Sequence, residues 1–413
     1  MHARYLFPLV APTHRLLFAL LVMAGLLVAC GERSPTTVSR PTTAISVYTH
    51  TAGRNLDRDG YLLTLDAKLT KAIGVNSSVV FEPVALGSHT VELSGVADNC
   101  APSGTPATVV VSGTTQTRVA LGVLCMGAIP NDVQIAFVRD GVVYGMRADG
   151  SGITDLTGHF SIGPAWSPDG TQLAFVSYHT DPYPNGNIYV GRADGTGLRQ
   201  LTHEPGPEWG PAWSPGGTKI VFSRGTIYAG QIGPGNPASD LYIVDADGSN
   251  EVNFTQTDGI PEFKPDWSPD GLRIVFGRTV TNYVDLLVRS VQDGSESNVT
   301  NDRDYYIINM DPRWSPDGTR LAFRRGDRLS ATGYDIWLMN SDGSQRTALV
   351  AWPDEQLDPA WSPDGTRILF ASGGDIWVVA PDGSGVQQLT SGPPEDWGPH
   401  WRPRSSGSAA RPR

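Results

Sequence analysis

Acidic and aromatic side chains recur in short segments between the apolar runs of this sequence, and they suggest binding chemistry. Carboxylates around a concave surface attract basic peptides or cations, and tryptophan is a common anchor in protein interfaces. We therefore expect these residues to bind a protein or peptide partner, although each acid taken singly could be a solvated loop residue. The set is Glu204, Glu208, Trp209, Glu262, Asp302, Asp304, Asp354, Glu355, Glu395, Asp396 and Trp397.

Three histidines offer a different chemistry, because imidazole is a common metal ligand. His159, His203 and His400 precede landmark tryptophans of a repeat by seven, ten and one residues. If they converged on one metal ion, the chain could be a metal-dependent hydrolase or lyase acting on envelope carbohydrate or lactone. The unequal offsets also fit three polar histidines without a ligand, so the metal site is the alternative hypothesis.

A calcium loop is a further possibility near the start of the chain. The segment NLDRDGYLLTLD places oxygen-bearing residues at the spacing of an EF-hand loop. Runs typical of strands flank it, so a β-hairpin explains the same residues. The residues concerned are Asn55, Asp57, Asp59, Gly60, Leu62 and Asp66. Beyond this possible structural calcium, we expect no cofactor.

Catalytic motifs are missing from the sequence. It contains no Gly-x-Ser-x-Gly elbow and no His-Glu-x-x-His, which are the signatures of serine hydrolases and zinc peptidases. Its three cysteines are too few for a zinc knuckle. We therefore expect a binding protein rather than an enzyme.

The elements that position these residues come from an internal repeat. Tryptophans 166, 213, 267, 314 and 361 follow one another at steps of 47, 54, 47 and 47 residues, and Trp401 comes 40 residues later. Most are followed by Ser-Pro-Asp-Gly, a tight-turn sequence, then by an apolar run, a second run and an Asp-Gly turn. Units of this length with four short strands are typical of propeller blades.

The repeat count predicts an all-β fold, with a six-bladed β-propeller over residues 128–404 closed by the C-terminal strand. The stretch 133–157 supplies three strands of a blade without its first one, and 397–404 supplies a first strand with nothing after it. Pairing them would remove exposed sheet edges. The Ser-Pro-Asp-Gly turns then lie on one face, and the more varied connections lie on the other, where binding sites usually form.

The segments PAWSPDGTQLAF and NIYVGRADGTGLRQLT resemble the TolB-type (WD40-like) propeller repeat of bacterial envelope proteins. The resemblance covers about Val133 to Arg404. It implies a six-bladed ring that binds protein partners, with peptide insertion at the channel mouth as one known mode. The chain departs from TolB itself, which has an α/β domain before its propeller.

The first 29 residues resemble a bacterial lipoprotein signal peptide, with an apolar run ending Leu27-Val28-Ala29-Cys30. The resemblance implies acylation of Cys30, with an ordinary signal peptide as the alternative. We expect the lipid to anchor the protein in the cell envelope, on the periplasmic side of the outer membrane. We expect residues 30–43 to form a polar linker and residues 405–413 to form a disordered tail.

Residues 44–127 read as short strands and loosely resemble Ig-like or PEGA-type β-sandwiches. Cys100 and Cys125 could form a disulfide in an oxidising compartment; two free buried thiols are the alternative. The formal net charge of −11 and the lack of basic clusters argue against a nucleic-acid partner. We expect a monomer.

Overall fold

The computed structural model describes residues 43–113, 116–178, 186–225, 239–257, 259–280, 283–302, 304, 306–327, 333–350 and 352–403. Within these ranges the secondary structure consists of strands, turns and bends. None of the described residues forms a helix with the length and hydropathy of a membrane span. Cys30, the signal peptide and the tail 405–413 lie outside the described ranges, as does nearly all of the linker.

Eight strands near the N-terminus form two four-stranded sheets around one hydrophobic core. One sheet has the order β4-β1-β8-β6 and the other has the order β3-β2-β5-β7. Alternation of buried and exposed residues along the strands directs one face of each sheet to this core. The strands are β1 Ile45–Gly53, β2 Tyr61–Leu65, β3 Leu69–Ile73, β4 Ser78–Phe81, β5 Gly87–Ser94, β6 Cys100–Ser103, β7 Ala107–Val111 and β8 Thr117–Cys125.

A disulfide joins Cys100 at the start of β6 to Cys125 at the end of β8, so the predicted pairing of the two thiols is confirmed. The two cysteines are 25 residues apart in sequence, and closing a loop of that size stabilises a fold by about 3 kcal/mol. Just beyond the bond, Leu124 and Met126 pack with Leu173 and Tyr189 in one core cluster. The N-terminal sheets therefore share buried contacts with the rest of the described chain.

The remaining strands form one seven-stranded, one eight-stranded and two four-stranded sheets. Within them most strands fall into groups of four that are consecutive in sequence, and the exception is the group in which β31 joins β9, β10 and the first half of β11. β11 serves two groups, because its first half pairs with β10 and its second half pairs with β12. The strands are β9 Ile135–Arg139, β10 Val142–Met146, β11 Thr154–Trp166, β12 Gln172–Ser177, β13 Asn187–Arg192, β14 Arg199–Gln200, β15 Glu208–Trp213, β16 Lys219–Gly225, β17 Ser239–Asp245, β18 Val252–Asn253, β19 Glu262–Trp267, β20 Arg273–Val280, β21 Tyr283–Ser290, β22 Glu296–Asn298, β23 Ile307–Trp314, β24 Arg320–Asp327, β25 Tyr334–Asn340, β26 Thr347–Val350, β27 Gln356–Trp361, β28 Ile368–Ser372, β29 Asp375–Val379, β30 Gln387–Gln388 and β31 Asp396–Trp401.

Strands β11, β15, β19, β23, β27 and β31 each end at a landmark tryptophan, and we call them the first strands. Each first strand contacts the next one, and β31 contacts β11. β31 also pairs antiparallel with β9, placing Trp401 opposite Ile135. Beyond it, Arg402 Nε donates a hydrogen bond to the Gly170 carbonyl at 2.8 Å. The two ends of the repeat region therefore lie side by side.

The Ser-Pro-Asp-Gly turn that follows the first strands β11, β19, β23 and β27 has the geometry that its sequence predicts. Ser167, Ser268, Ser315 and Ser362 each donate a hydrogen bond from the hydroxyl to the Asp two residues later. The glycine that follows has a positive φ, for example 68° at Gly170, which glycine adopts without steric cost. The strand that pairs with each first strand carries a fully buried phenylalanine; the set is Phe137, Phe175, Phe222, Phe276, Phe323 and Phe370.

Candidate functional site

Three of the acids expected to meet a partner are buried instead. Glu208, Glu262 and Asp396 open strands β15, β19 and β31, and their side chains are fully buried. Each pairs with an arginine on the neighbouring strand, at N–O distances of 2.6, 2.6 and 2.7 Å; the arginines are Arg224, Arg278 and Arg139. The prediction that these carboxylates are available to a partner is therefore wrong, because a buried charge needs a partner within the protein.

Glu208 shows what these buried acids do. Its Oε1 accepts from Arg224, and its Oε2 accepts from the Thr202 hydroxyl and from the Ile188 backbone N–H at 3.1 Å. Because Ile188 lies on β13, the carboxylate ties one four-stranded group to the next. Burial raises the pKa of Glu208 to about 7, outweighing the effect of Arg224.

The other predicted acids are more accessible. Glu204, Asp304, Asp354 and Glu395 are exposed, and they lie in the connections that lead into the first strands. Glu355 is half-buried. Asp302 is paired with Arg325 and Arg346. Trp209 and Trp397 are half-buried on their first strands. Binding of a partner by these residues stays a prediction, and the neighbouring loop segments 179–185, 226–238 and 328–332 lie outside the described ranges.

The hypotheses of a metal site gain no support from the geometry. Among the described residues no group of three or more His, Cys, Asp or Glu side chains could hold a metal ion, so His159, His203 and His400 do not converge. In the possible calcium loop, Asp57 accepts hydrogen bonds from the Ala97 and Asp59 backbone N–H groups. Asp66 is hydrogen bonded to His89 at 2.7 Å. Turn and cross-strand contacts account for these two carboxylates.

A bulge interrupts every first strand three residues before its tryptophan. The residue there has a positive φ between 52° and 60°, a proline follows, and the strand register shifts. The position holds glycine in three strands and a charged residue in the other three; the six are Gly163, Gly210, Lys264, Asp311, Asp358 and Gly398. Side chains other than glycine are uncommon in this conformation, so their presence here calls for an explanation.

The three charged residues at the bulges meet each other. Lys264 Nζ on β19 lies 3.2 Å from Asp358 Oδ1 on β27 and 3.9 Å from Asp311 Oδ1 on β23. Since β23 separates β19 from β27 in sequence and in the order of contacts, all three side chains project to the same side of the first strands. We call this the axial side. Arg324 Nε adds a contact of 3.0 Å to Asp311 Oδ2.

Two residues further along, three more polar side chains stand immediately before the tryptophans. Asp266 Oδ2 accepts a hydrogen bond of 2.8 Å from the Trp314 backbone N–H, which joins β19 to β23. Burial raises the pKa of Asp266 to about 6. Burial, with a smaller effect of Arg313, lowers the pKa of His400 to about 4, so that the imidazole is uncharged at neutral pH. Asp266, Arg313 and His400 extend the bulge residues into one axial cluster.

The first strands β11 and β15 carry only small residues at the same two positions. Gly163 and Ala165 lie on β11, and Gly210 and Ala212 lie on β15. The axial cluster thus occupies one side of the cycle of first strands and leaves small residues on the other. Such an arrangement can hold a polar group of a ligand. The sequence marks the bulge positions. Each bulge residue comes directly before a proline, and that proline lies two residues before a landmark tryptophan.

Comparisons with known proteins agree with this geometry. Residues 226–409 match the family model of the TolB beta propeller domain. The chain carries a TolB-type β-propeller domain. A protein TolB homolog of Chlorobium luteolum is 32% identical over 138 residues, which cover 32% of this chain and 28% of that relative. The match thus spans little more than a quarter of the relative's length.

Two solved structures share the fold of the TolB-type domain at low sequence identity. TolB from Acinetobacter baumannii aligns over 67% of this chain and 68% of its own, with a TM-score of 0.55 and 21% identity. A putative TolB from Agrobacterium tumefaciens aligns over 62% of this chain and 89% of its own, with a TM-score of 0.50 and 20% identity. The fold is therefore an all-β propeller.

Proposed function

We propose that this chain is a non-enzymatic protein of the cell envelope, lipid-anchored through Cys30, whose propeller binds a protein or peptide partner. The partner contacts the connections that lead into the first strands and enters the central channel from that end. The propeller has six blades and is closed by β31. The two N-terminal sheets form an Ig-like sandwich, and the protein acts as a monomer.

The strand contacts support a closed ring of six blades. Strands β31, β9 and β10 and the first half of β11 form one four-stranded group, and the second half of β11 begins the next. The contacts between neighbouring first strands, with the return from β31 to β11, surround one axis. The axial sides of the first strands then enclose the channel.

The axial cluster is the observation that carries the proposal. Keeping Lys264, Asp311 and Asp358 in the left-handed region costs conformational energy that glycine would avoid. Three neighbouring first strands carry that cost at the same position, and they place one buried and two half-buried charges along the channel. Polar groups placed this way recognise polar groups of a ligand. The similarity to the TolB-type domain favours a protein of the envelope, rather than a small metabolite, as the ligand.

Site-specific photo-crosslinking in intact envelopes tests which end of the channel binds. A photoreactive amino acid at position 395 replaces an exposed glutamate in the connection before β31. We expect it to give a discrete crosslinked protein band. The matched control places the same group at Thr366, which is exposed in the turn after β27 at the other end of a first strand. Crosslinking at Thr366 alone, or at neither position, would contradict the proposed binding end.

Membrane fractionation tests the anchor. Acyl chains on a lipoprotein cysteine hold it stably at a membrane. A Cys30→Ser variant, which has no thiol to acylate, is expected to lose most of its membrane association. Washing envelopes with high salt separates this outcome from electrostatic adsorption, and Cys100→Ser serves as a cysteine control. Retention of Cys30→Ser in the salt-washed membrane would show that the protein is held there by other means.

A further inference from the structure

Most charges of the axial cluster have a partner within the protein. Lys264 lies 3.2 Å from Asp358, Arg324 lies 3.0 Å from Asp311, and Asp266 accepts the Trp314 N–H. Burial would raise the pKa of Asp358, but Lys264, Arg324 and Arg313 together lower it. The Asp358 carboxylate is therefore ionised and already engaged.

Arg313 differs from its neighbours. Within the part of the chain that the structure describes, no carboxylate lies within 4.0 Å of its guanidinium. Its Nη1 reaches only two backbone carbonyls, Pro312 O at 3.3 Å and Pro265 O at 3.5 Å, which are long for hydrogen bonds. Arginine carries five donors in a planar fork that matches a carboxylate. A half-buried guanidinium thus lies on the axial side with most of its donors open.

A second unused group lies beside Arg313. Asp311 is 3% exposed, and its Oδ1 has no hydrogen-bond partner. Lys264 Nζ lies 3.9 Å from that oxygen, beyond hydrogen-bond distance. An unpaired buried acceptor costs free energy unless a ligand supplies a donor. A carboxylate receptor and a buried acceptor therefore occur two residues apart on β23.

The opposite wall leaves room for a ligand. A Cβ atom at Gly163 would meet its nearest neighbour at 3.5 Å, and one at Gly398 would do so at 3.8 Å, both ordinary contacts. Side chains occupy the equivalent position on β19, β23 and β27, so the bulge itself does not exclude them. The glycines keep this side of the channel open opposite Arg313.

We infer that Arg313 binds a carboxylate of the partner peptide inside the channel, while Asp311 Oδ1 accepts a backbone N–H next to that carboxylate. The inference rests on the proposed function, because it names the chemistry that the channel recognises. The carboxylate belongs either to an Asp or Glu side chain or to the C-terminus of the partner. Both sources offer the same two oxygens to the guanidinium.

Three short peptides separate the sources in NMR or calorimetric titrations of the purified full-length protein. Acetyl-Gly-Gly-Gly has a free C-terminal carboxylate, acetyl-Gly-Asp-Gly-amide has a side-chain carboxylate, and acetyl-Gly-Asn-Gly-amide has neither. We expect at least one of the first two to bind at least about tenfold more tightly than the third, as a charge-assisted hydrogen bond allows. Whichever binds identifies the source of the carboxylate.

The matched variant is Arg313→Ala, because alanine occupies the same repeat position on three other first strands, at Ala165, Ala212 and Ala360. It is expected to remove the preference for the carboxylate peptides, whereas Arg192→Gln, at the exposed end of β13, keeps it. Equal binding of all three peptides, or an unchanged preference in Arg313→Ala, would overturn the inference. If Arg313→Ala does not fold, the comparison of the three peptides on the unmodified protein still tests whether the channel prefers a carboxylate.

The two proposals fail separately. A crosslinked partner at position 395 without any preference for carboxylate peptides would support the proposed function and contradict the role of Arg313. A preference for carboxylate peptides without a crosslinked partner would support the role of Arg313 and contradict the proposed function.

Discussion

Replacing Trp401 with alanine is expected to lower the free energy of unfolding by about 3–5 kcal/mol, the cost of removing a large buried aromatic side chain. Trp401 lies on β31, packs in one core cluster with Ile135 and Phe137 of β9, and stacks under the Arg367 guanidinium at 4.6 Å. The substitution therefore weakens the contact between the two ends of the repeat region. Urea denaturation followed by circular dichroism measures the loss.

The control for Trp401→Ala is Val386→Ala, which truncates an exposed apolar side chain in the turn between β29 and β30. It is expected to change the free energy of unfolding by less than about 0.5 kcal/mol. A loss below 1 kcal/mol for Trp401→Ala would mean that the pairing of β31 with β9 contributes little to the native state. The proposed closure of the propeller by β31 would then lose its energetic support.

Replacing Arg224 with serine is expected to destabilise the fold by a similar amount, about 3–5 kcal/mol, because it leaves the Glu208 carboxylate buried without its counter-ion. Glu208 is fully buried, and Arg224 contacts it at 2.6 and 2.9 Å. Arg224 also pairs with Glu251, which is more exposed. Thermal and chemical denaturation at pH 8 measure the effect.

The repeat supplies the rescue variant for Arg224→Ser. The strand pair β27–β28 has Gln356 opposite Ser372 where β15–β16 has Glu208 opposite Arg224. The double variant Glu208→Gln/Arg224→Ser copies that uncharged pair. It is expected to recover at least half of the lost stability. No recovery would show that the cost comes from the arginine's packing and not from the unpaired charge.

The loss in Arg224→Ser is expected to depend on pH. Burial raises the pKa of Glu208 from its ordinary value of 4.5 to about 7 already in the presence of Arg224. A group whose pKa is raised by folding binds its proton more tightly in the folded state, so its stabilising contribution is complete below pH 4.5 and is lost as the pH rises through 7. The variant should therefore approach the unmodified protein at pH 5 and differ most at pH 8.

The strand pattern can be predicted from the sequence because each repeat unit has the same local sequence features. The tryptophan spacing, the Ser-Pro-Asp-Gly turns and the apolar runs indicate strand positions independently of long-range contacts. The sequence near Ile135 lacks the first strand of its unit, and the strand at Trp401 has no strands after it, so the two are predicted to pair. β31 pairs with β9 in the structure. The bulges were missed because a register shift depends on backbone dihedral angles that no single residue type dictates, as glycine, lysine and aspartate all occur there.

The site was harder to predict because the position of a charge within a repeat decides its environment. Glu208, Glu262 and Asp396 resemble the exposed acids around them in type, but each stands five residues before a landmark tryptophan, whereas the exposed acids stand six to ten residues before theirs. What separates them is the facing residue on the neighbouring strand, Arg224, Arg278 and Arg139. The signal was present: 16 residues after Glu208 and Glu262 comes an arginine, whereas the same step from Ser161 and Gln356 leads to serine.

The recurring left-handed residue also gives this fold a way to acquire new specificity. Because the backbone already has a positive φ at that point in every first strand, exchanging one residue there changes the side chains that face the proposed channel. Asparagine and aspartate tolerate such dihedral angles better than most residues, so they could be introduced at Gly163, Gly210 or Gly398 one blade at a time. A designer can therefore vary the residues that face the proposed channel at these three positions.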